Sequence, residues 1–169
     1  MRVTWDTETH RIRQGLAAPP GVCLSHVTQD GDETTPPDLL LWRDAMEFMA
    51  DNLRNPNILW CGHNVAYDFS VVAASDIRLL PAIFKAYEEN RVVDTLIRDK
   101  LQLLAIGLLA DENETGAKRM ERFSLDAVVL RRFGHLMTQA ERDGIVAEKK
   151  DKTAWRLRYR DQSRPARPT

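Results

Sequence analysis

Cysteine is scarce in this 169-residue chain: there are two, Cys23 and Cys61. Both stand in apolar, strand-like contexts, and neither belongs to a zinc-ligand spacing. A disulfide framework and a zinc finger are thereby excluded, and the pair reads as buried thiols in a reducing compartment. Long apolar runs are missing too. The longest, Leu103 to Ala110, contains Gly107, whereas crossing a bilayer takes about 20 apolar residues. No apolar stretch follows the first basic residue, which argues against a secretory signal. An excess of basic charge is also absent, the formal net charge being −1. That figure conceals an asymmetry. Lys149 to Thr169 carries eight Lys or Arg and two Asp, so residues 1–148 carry −7. An acidic body is poorly suited to gripping nucleic acid by charge alone. It suits a site that gathers carboxylates, and gathered carboxylates call for a cation.

With 43% hydrophobic and 29% charged residues, the composition supports one packed domain of ordinary size. We place it at residues 1–162, followed by a disordered Pro- and Arg-rich tail at 163–169. Strands are expected at Arg2–Trp5, Gly21–Val27, Leu39–Trp42, Ile58–Cys61 and Arg91–Val93. Asp30-Gly31 is expected to turn a hairpin, and Thr28–Asp38 to be a polar loop. Apolar residues at helical spacing predict helices over Arg43–Asn55, Ala66–Ser75, Pro81–Glu89, Thr95–Ala110, Ser124–Phe133 and Thr138–Gly144. Ile58-Leu59-Trp60-Cys61 is continuously apolar, as in a strand buried on both faces. Strands first, then strand and helix alternating, imply an α/β fold with a mixed sheet flanked by helices.

Two stretches carry chemistry. Asp6-Thr7-Glu8 ends the first strand, and side chains at i and i+2 of a strand share a face. Asp6 and Glu8 should project together, about 7 Å apart at Cα. Such a pair repels itself unless a cation intervenes, and hard oxygen ligands suit Mg²⁺ or Mn²⁺. The pairs Asp30-x-Asp32 and Glu112-x-Glu114 read instead as solvated loops. The second stretch, Gly62-His63-Asn64-Val65-Ala66-Tyr67-Asp68, lies where a buried strand gives way to a helix, the place where open sheets bind ligands. Each member has a plain structural role open to it. Asn64 can cap the helix, His63 can be a hydrogen-bonded loop residue, and Asp68 can complement the helix dipole. Asp94 reads as an N-cap and Asp126 as a dipole partner.

Trp5-Asp6-Thr7-Glu8-Thr9 resembles the first motif of the DEDD superfamily of 3′–5′ exonucleases. Gly62 to Asp68 resembles its second, in the Asn-x-x-Tyr-Asp form, at a fitting separation of about 60 residues. Val93-Asp94-Thr95-Leu96, Phe123 to Ala127 and Lys152 to Tyr159 are similar to the proofreading region of phage-type family A DNA polymerases. The resemblance implies a ribonuclease H-like fold and two-metal hydrolysis of a phosphodiester at a DNA 3′ end. Asp6, Glu8 and Asp68 would be the catalytic and metal-binding carboxylates, with Mg²⁺ or Mn²⁺ as cofactor. Thr7, Thr9, His63, Asn64 and Tyr67 would line the path of single-stranded DNA. It further implies a cytoplasmic setting in a bacterial or phage-infected cell, and a DNA polymerase domain encoded separately as a partner.

The family's third motif pairs a carboxylate with a Tyr or His four or five residues before it. Downstream of Asp68, His135 is followed five residues on by Ala140, Tyr159 four on by Ser163, and Tyr87 four on by Arg91. None fits. The sequence is therefore expected to be a truncated exonuclease-type domain lacking the third-motif helix, with impaired turnover. General acid–base help alone is worth about 10²–10⁴-fold. The alternative is an inactive nucleic-acid-binding remnant. Lys149 to Lys152 with Trp155, Arg156, Arg158 and Tyr159 mixes basic and aromatic residues. It is either a guide for single-stranded DNA or an amphipathic packing segment.

Overall fold

The computed structural model describes residues 1–11, 18–108 and 122–134. The chain divides into two compact units, Met1–Leu125 and Asp126–Thr169. In the first, strands β1 (Arg2–Thr9), β2 (Gly21–Asp30), β3 (Glu33–Thr34) and β4 (Asp38–Leu41) precede helix α1 (Trp42–Asn52). Strand β5 (Leu59–Gly62), helix α2 (Val65–Ser75), a 3₁₀ turn at Ile77–Leu79 and helix α3 (Leu80–Glu88) follow. Strand β6 (Val92–Asp94) and helix α4 (Thr95–Ala105) come next. Helix α5 (Leu125–Phe133) begins at the unit boundary and supplies the described part of the second unit. It carries Asp126 in its first turn and Arg131 and Arg132 in its last, both complementing the helix dipole. Gly134, at φ 63°, ends it.

The strands form one mixed sheet in the order β3-β2-β1-β5-β6, with β4 pairing the same strand β2. β1 runs parallel to β5, and β5 to β6, while β2 is antiparallel to β1. The fold is thus α/β with a mixed sheet and flanking helices. Along β1, Val3, Trp5 and Thr7 are buried, and Arg2, Thr4 and Asp6 are exposed. This alternation turns one sheet face toward α1, α2 and α3. Ala45, Met49, Phe69, Val72, Ile83 and Ala86 pack there with Leu24 and Trp60. Trp5 meets Trp60 edge-on at 5.9 Å and Phe69 at 4.9 Å. Burying such rings contributes about 1.5–3 kcal/mol each. Trp42 lies over Gly21, where an added Cβ would stand 2.3 Å from its ring.

Several boundaries differ from the sequence reading for local reasons. β1 extends to Thr9 because β2 pairs with it along its whole length. β2 runs on to Asp30, and Gly31, at φ 58°, turns it into β3, so part of the expected polar loop is a hairpin. Trp42 opens α1 rather than closing β4. α4 stops at Ala105, five residues early, just ahead of Gly107 at φ 74°. The expected helix over Thr138–Gly144, the segment Lys149–Tyr159 and the tail at 163–169 lie outside the described residues, as do Glu112 and Glu114. Asp30 and Asp32 are exposed at the hairpin, as expected. Cys23 and Cys61 are buried thiols. Among the described residues no helix is long and apolar enough to cross a membrane.

One buried cation ties the helical layer to the sheet. The Arg91 guanidinium donates through Nη1 to the carbonyls of Leu53 (3.4 Å), Asn55 (3.2 Å) and Ile58 (3.4 Å). Nε donates to Glu89 at 2.8 Å. It thus serves the Leu53 carbonyl at the C-terminal end of α1, where positive charge is favoured, and the Asn55 and Ile58 carbonyls of the turn that leads into β5. Arg91→Met should remove these hydrogen bonds, leave Glu89 without its guanidinium partner, and lower the unfolding free energy by about 2–4 kcal/mol in urea titrations. Arg91→Lys should lose less.

Candidate functional site

The site lies where β1 and β5 part company. The two are paired from Arg2↔Leu59 to Thr4↔Cys61. Beyond that, β5 turns into α2 while β1 continues beside β2. Gly62 suits this exit, since a Cβ there would press within 3.2 Å of the Trp5 carbonyl oxygen. The overhanging tip of β1, Asp6 to Thr9, thereby faces the start of α2 at the carboxyl end of the parallel strands, the usual ligand crevice of an open sheet.

Asp68 is brought to this tip. It is 3% exposed. Its Oδ1 accepts from the Thr7 hydroxyl at 2.5 Å and from the Thr7 backbone N–H at 3.1 Å. The two expected motif stretches, 61 residues apart at this contact, therefore meet through Thr7 and Asp68. A second tie joins the hydroxyls of Thr9 and Tyr67 at 3.2 Å. Burial pushes the Asp68 carboxyl up to about 6; the charge of Asp6 adds to the rise, and the Thr7 donors oppose it.

Asp6 and Glu8 share the other face of β1, Asp6 exposed and Glu8 half-buried. Asp6 lines a cavity of about 820 Å³ on that face, together with Arg2, Thr4, Cys61 and Arg98. Burial raises the Cys61 thiol pKa, more than Arg2 and Arg98 lower it. A thiol so placed is a poor nucleophile. Strand alternation thus separates the expected carboxylate trio: two project from one face of β1, and the third reaches the core face through Thr7. Asp6 and Asp68 nevertheless feel each other's charge. The donor types match a hard divalent cation, and relief of that repulsion is what such an ion supplies. As placed, the trio does not enclose one: among the described residues no group of three or more His, Cys, Asp or Glu is set to hold a metal ion.

The remaining expected residues take structural contacts. His63 is held at both ring nitrogens, by the Thr95 hydroxyl and the Phe123 carbonyl, each at 2.9 Å. Asn64 is exposed in the left-handed conformation, φ 62°, and does not cap α2 with its side chain. Asp94 does so instead. Its Oδ1 accepts from the Asn64 N–H at 3.0 Å and its Oδ2 from the Val65 N–H at 3.1 Å. Oδ1 also accepts from Leu96 at 2.9 Å and Ile97 at 3.3 Å in its own helix. One carboxylate therefore closes the N-termini of α2 and α4. The N-cap role of Asp94 was legible, but its service to α2 was not, because no local spacing announces a cap supplied from 29 residues away. Tyr87 was also missed as a neighbour. Burial raises its phenol pKa, and the charges of Asp94 and Asp68 add to the rise.

Compared with models of known families and with curated proteins, the chain matches none.

The folded Asp68 carboxyl holds its proton to about pH 6, whereas the unfolded one releases it near 3.8. Between those values the folded chain binds more protons, so this group makes stability fall as pH rises from about 4 to 6, and level off above. Asp68→Asn keeps an oxygen for Thr7 and removes the titration. Relative to the wild type it should gain roughly 2–3 kcal/mol across that window. Urea midpoints measured at pH 4 to 8 for the two proteins check this; parallel profiles would contradict it.

Proposed function

We propose that this chain is an exonuclease-type domain of ribonuclease H-like fold that takes a single-stranded DNA 3′ end into the crevice at the carboxyl end of β1 and β5. One observation carries the reading. Asp6-Thr7-Glu8 and Asn64-x-x-Tyr67-Asp68 resemble two motifs of one nuclease superfamily, and the Thr7–Asp68 hydrogen bonds bring them together. The mixed sheet, with β1 between an antiparallel and a parallel neighbour, is compatible with that fold. Asp6, Glu8 and Asp68 would be the residues to hold Mg²⁺ or Mn²⁺. Such an ion, when bound, activates water and stabilises the leaving oxygen. The chain's own part is positioning. Thr7 orients Asp68, Thr9 and Tyr67 set the wall of the crevice, and exposed Asn64 stands at its mouth. A DNA polymerase domain is the partner this reading implies.

A second reading has its own support. The carboxylates are split between the faces of β1, with no three-donor group among the described residues. That arrangement favours a domain that binds a DNA end without cleaving it.

Purified chain with Mn²⁺ and a 5′-labelled single-stranded oligonucleotide separates the two. Shortening from the 3′ end that Asp6→Ala reduces at least 100-fold is the expected result. Binding without shortening would establish the second reading, and neither binding nor shortening would overturn both.

A further inference from the structure

Helix α4 presents an apolar stripe to solvent. Ile97, Leu101 and Leu104 stand at i, i+4 and i+7, which is one helix face, and they are 49%, 58% and 58% exposed. The stripe continues past the helix end through exposed Ile106 and Leu108. The opposite face is the one the fold uses, where Asp99 and Leu103 are buried. Side chains at this spacing are the knobs of a helix–helix seam. Contiguous exposed apolar surface of this kind marks an interaction site more often than scattered exposure does.

The borders of the stripe say what fits it. In heptad terms the positions flanking the seam are Arg98 on one side and Lys100 on the other. Arg98 is exposed and has no carboxylate partner among the described residues. Lys100 reaches over the Phe123 ring, 5.1 Å from its centroid. Among the described residues no acid of α4 itself offsets them, because Asp99 is buried and Asp94 is spent on capping two helices. A second copy of α4 laid along the stripe would set basic borders against basic borders. An amphipathic helix with acidic borders meets both demands at once.

We propose that the outer face of α4 is a docking surface for an amphipathic helix of a partner protein, with apolar residues along its seam and Asp or Glu beside them. This inference does not depend on the nuclease reading. Electrostatic complementarity of this sort sets partner choice and is weakened by salt.

The probe is a fluorescein-labelled 21-residue helical peptide with Leu at the seam positions and Glu at the flanking ones, alongside a twin with Lys in place of Glu. Anisotropy titrations with the full chain at low salt should show the Glu peptide binding at least tenfold more tightly than the Lys twin, with the preference shrinking at high salt. The double variant Leu101→Asp, Leu104→Asp should lose at least tenfold in affinity while its circular dichroism is unchanged, since both side chains are already exposed. Arg98→Glu should narrow or reverse the preference between the two peptides. Equal binding of both peptides, no binding of either, or indifference to these variants would overturn the proposal. So would sedimentation of the wild-type chain alone as a dimer that the double variant disperses, which would assign the stripe to a second copy.

Discussion

The contact between Thr7 and Asp68 is the constraint on which the reading of this molecule depends. It joins a strand that would otherwise end in a solvated acidic tip to the first turn of a helix 61 residues away. Without it, Asp6-Thr7-Glu8 is one acidic pair among several in an acidic sequence. With it, the tip of β1 is fixed against α2 at the carboxyl edge of a parallel strand pair. The bond also carries a cost. A carboxylate almost wholly withdrawn from water, beside the charge of Asp6, resists ionisation, and two donors from one residue offset only part of that penalty. Such tension, held at a crevice, is the condition in which a nearby cation or a proton has most influence.

Around this contact the fold uses charge economically. Arg91 serves three carbonyls and one carboxylate from inside the helical layer. Asp94 closes two helices with one side chain. Both are long-range solutions to the same problem: helix ends leave backbone groups unsatisfied, and buried ones must find partners. Because Asp94 positions α2 and α4 together, the helix bearing Asp68 and the helix bearing the exposed stripe share one anchor. The sheet has a different division of labour. One face is filled by aromatic and aliphatic side chains, and the other holds Asp6 and a cavity of about 820 Å³.

Much of this was written in local pattern. Alternation along Arg2 to Trp5, the continuous apolar run before Gly62, and the helical spacing after it each name an element, because burial periodicity follows directly from strand and helix geometry. Asp30-Gly31 named a hairpin, since a turn of that kind needs a residue at positive φ. Elements ended where partners decided. β1 was too short in the sequence reading because its last residues are held by β2, which no local window contains. Capping was one role open to Asn64, but its side chain makes no cap hydrogen bond from a left-handed backbone, and a distant Asp does that work. The candidate site was legible as two stretches but not as an arrangement. Placing Asp6 and Glu8 on one face follows from a period of two, whereas the approach of Asp68 to the opposite face, through Thr7, is a property of packing.

Thr7 and Asp68 interact directly and couple β1 to α2. A double-mutant cycle at pH 8 tests this coupling, with Thr7→Val, Asp68→Ala and the double variant unfolded in urea. The expected interaction energy is about 1–3 kcal/mol, as for a buried hydrogen bond to a charged group. Free energies that add to within about 0.5 kcal/mol would contradict the contact, and with it the meeting of the two motif-like stretches.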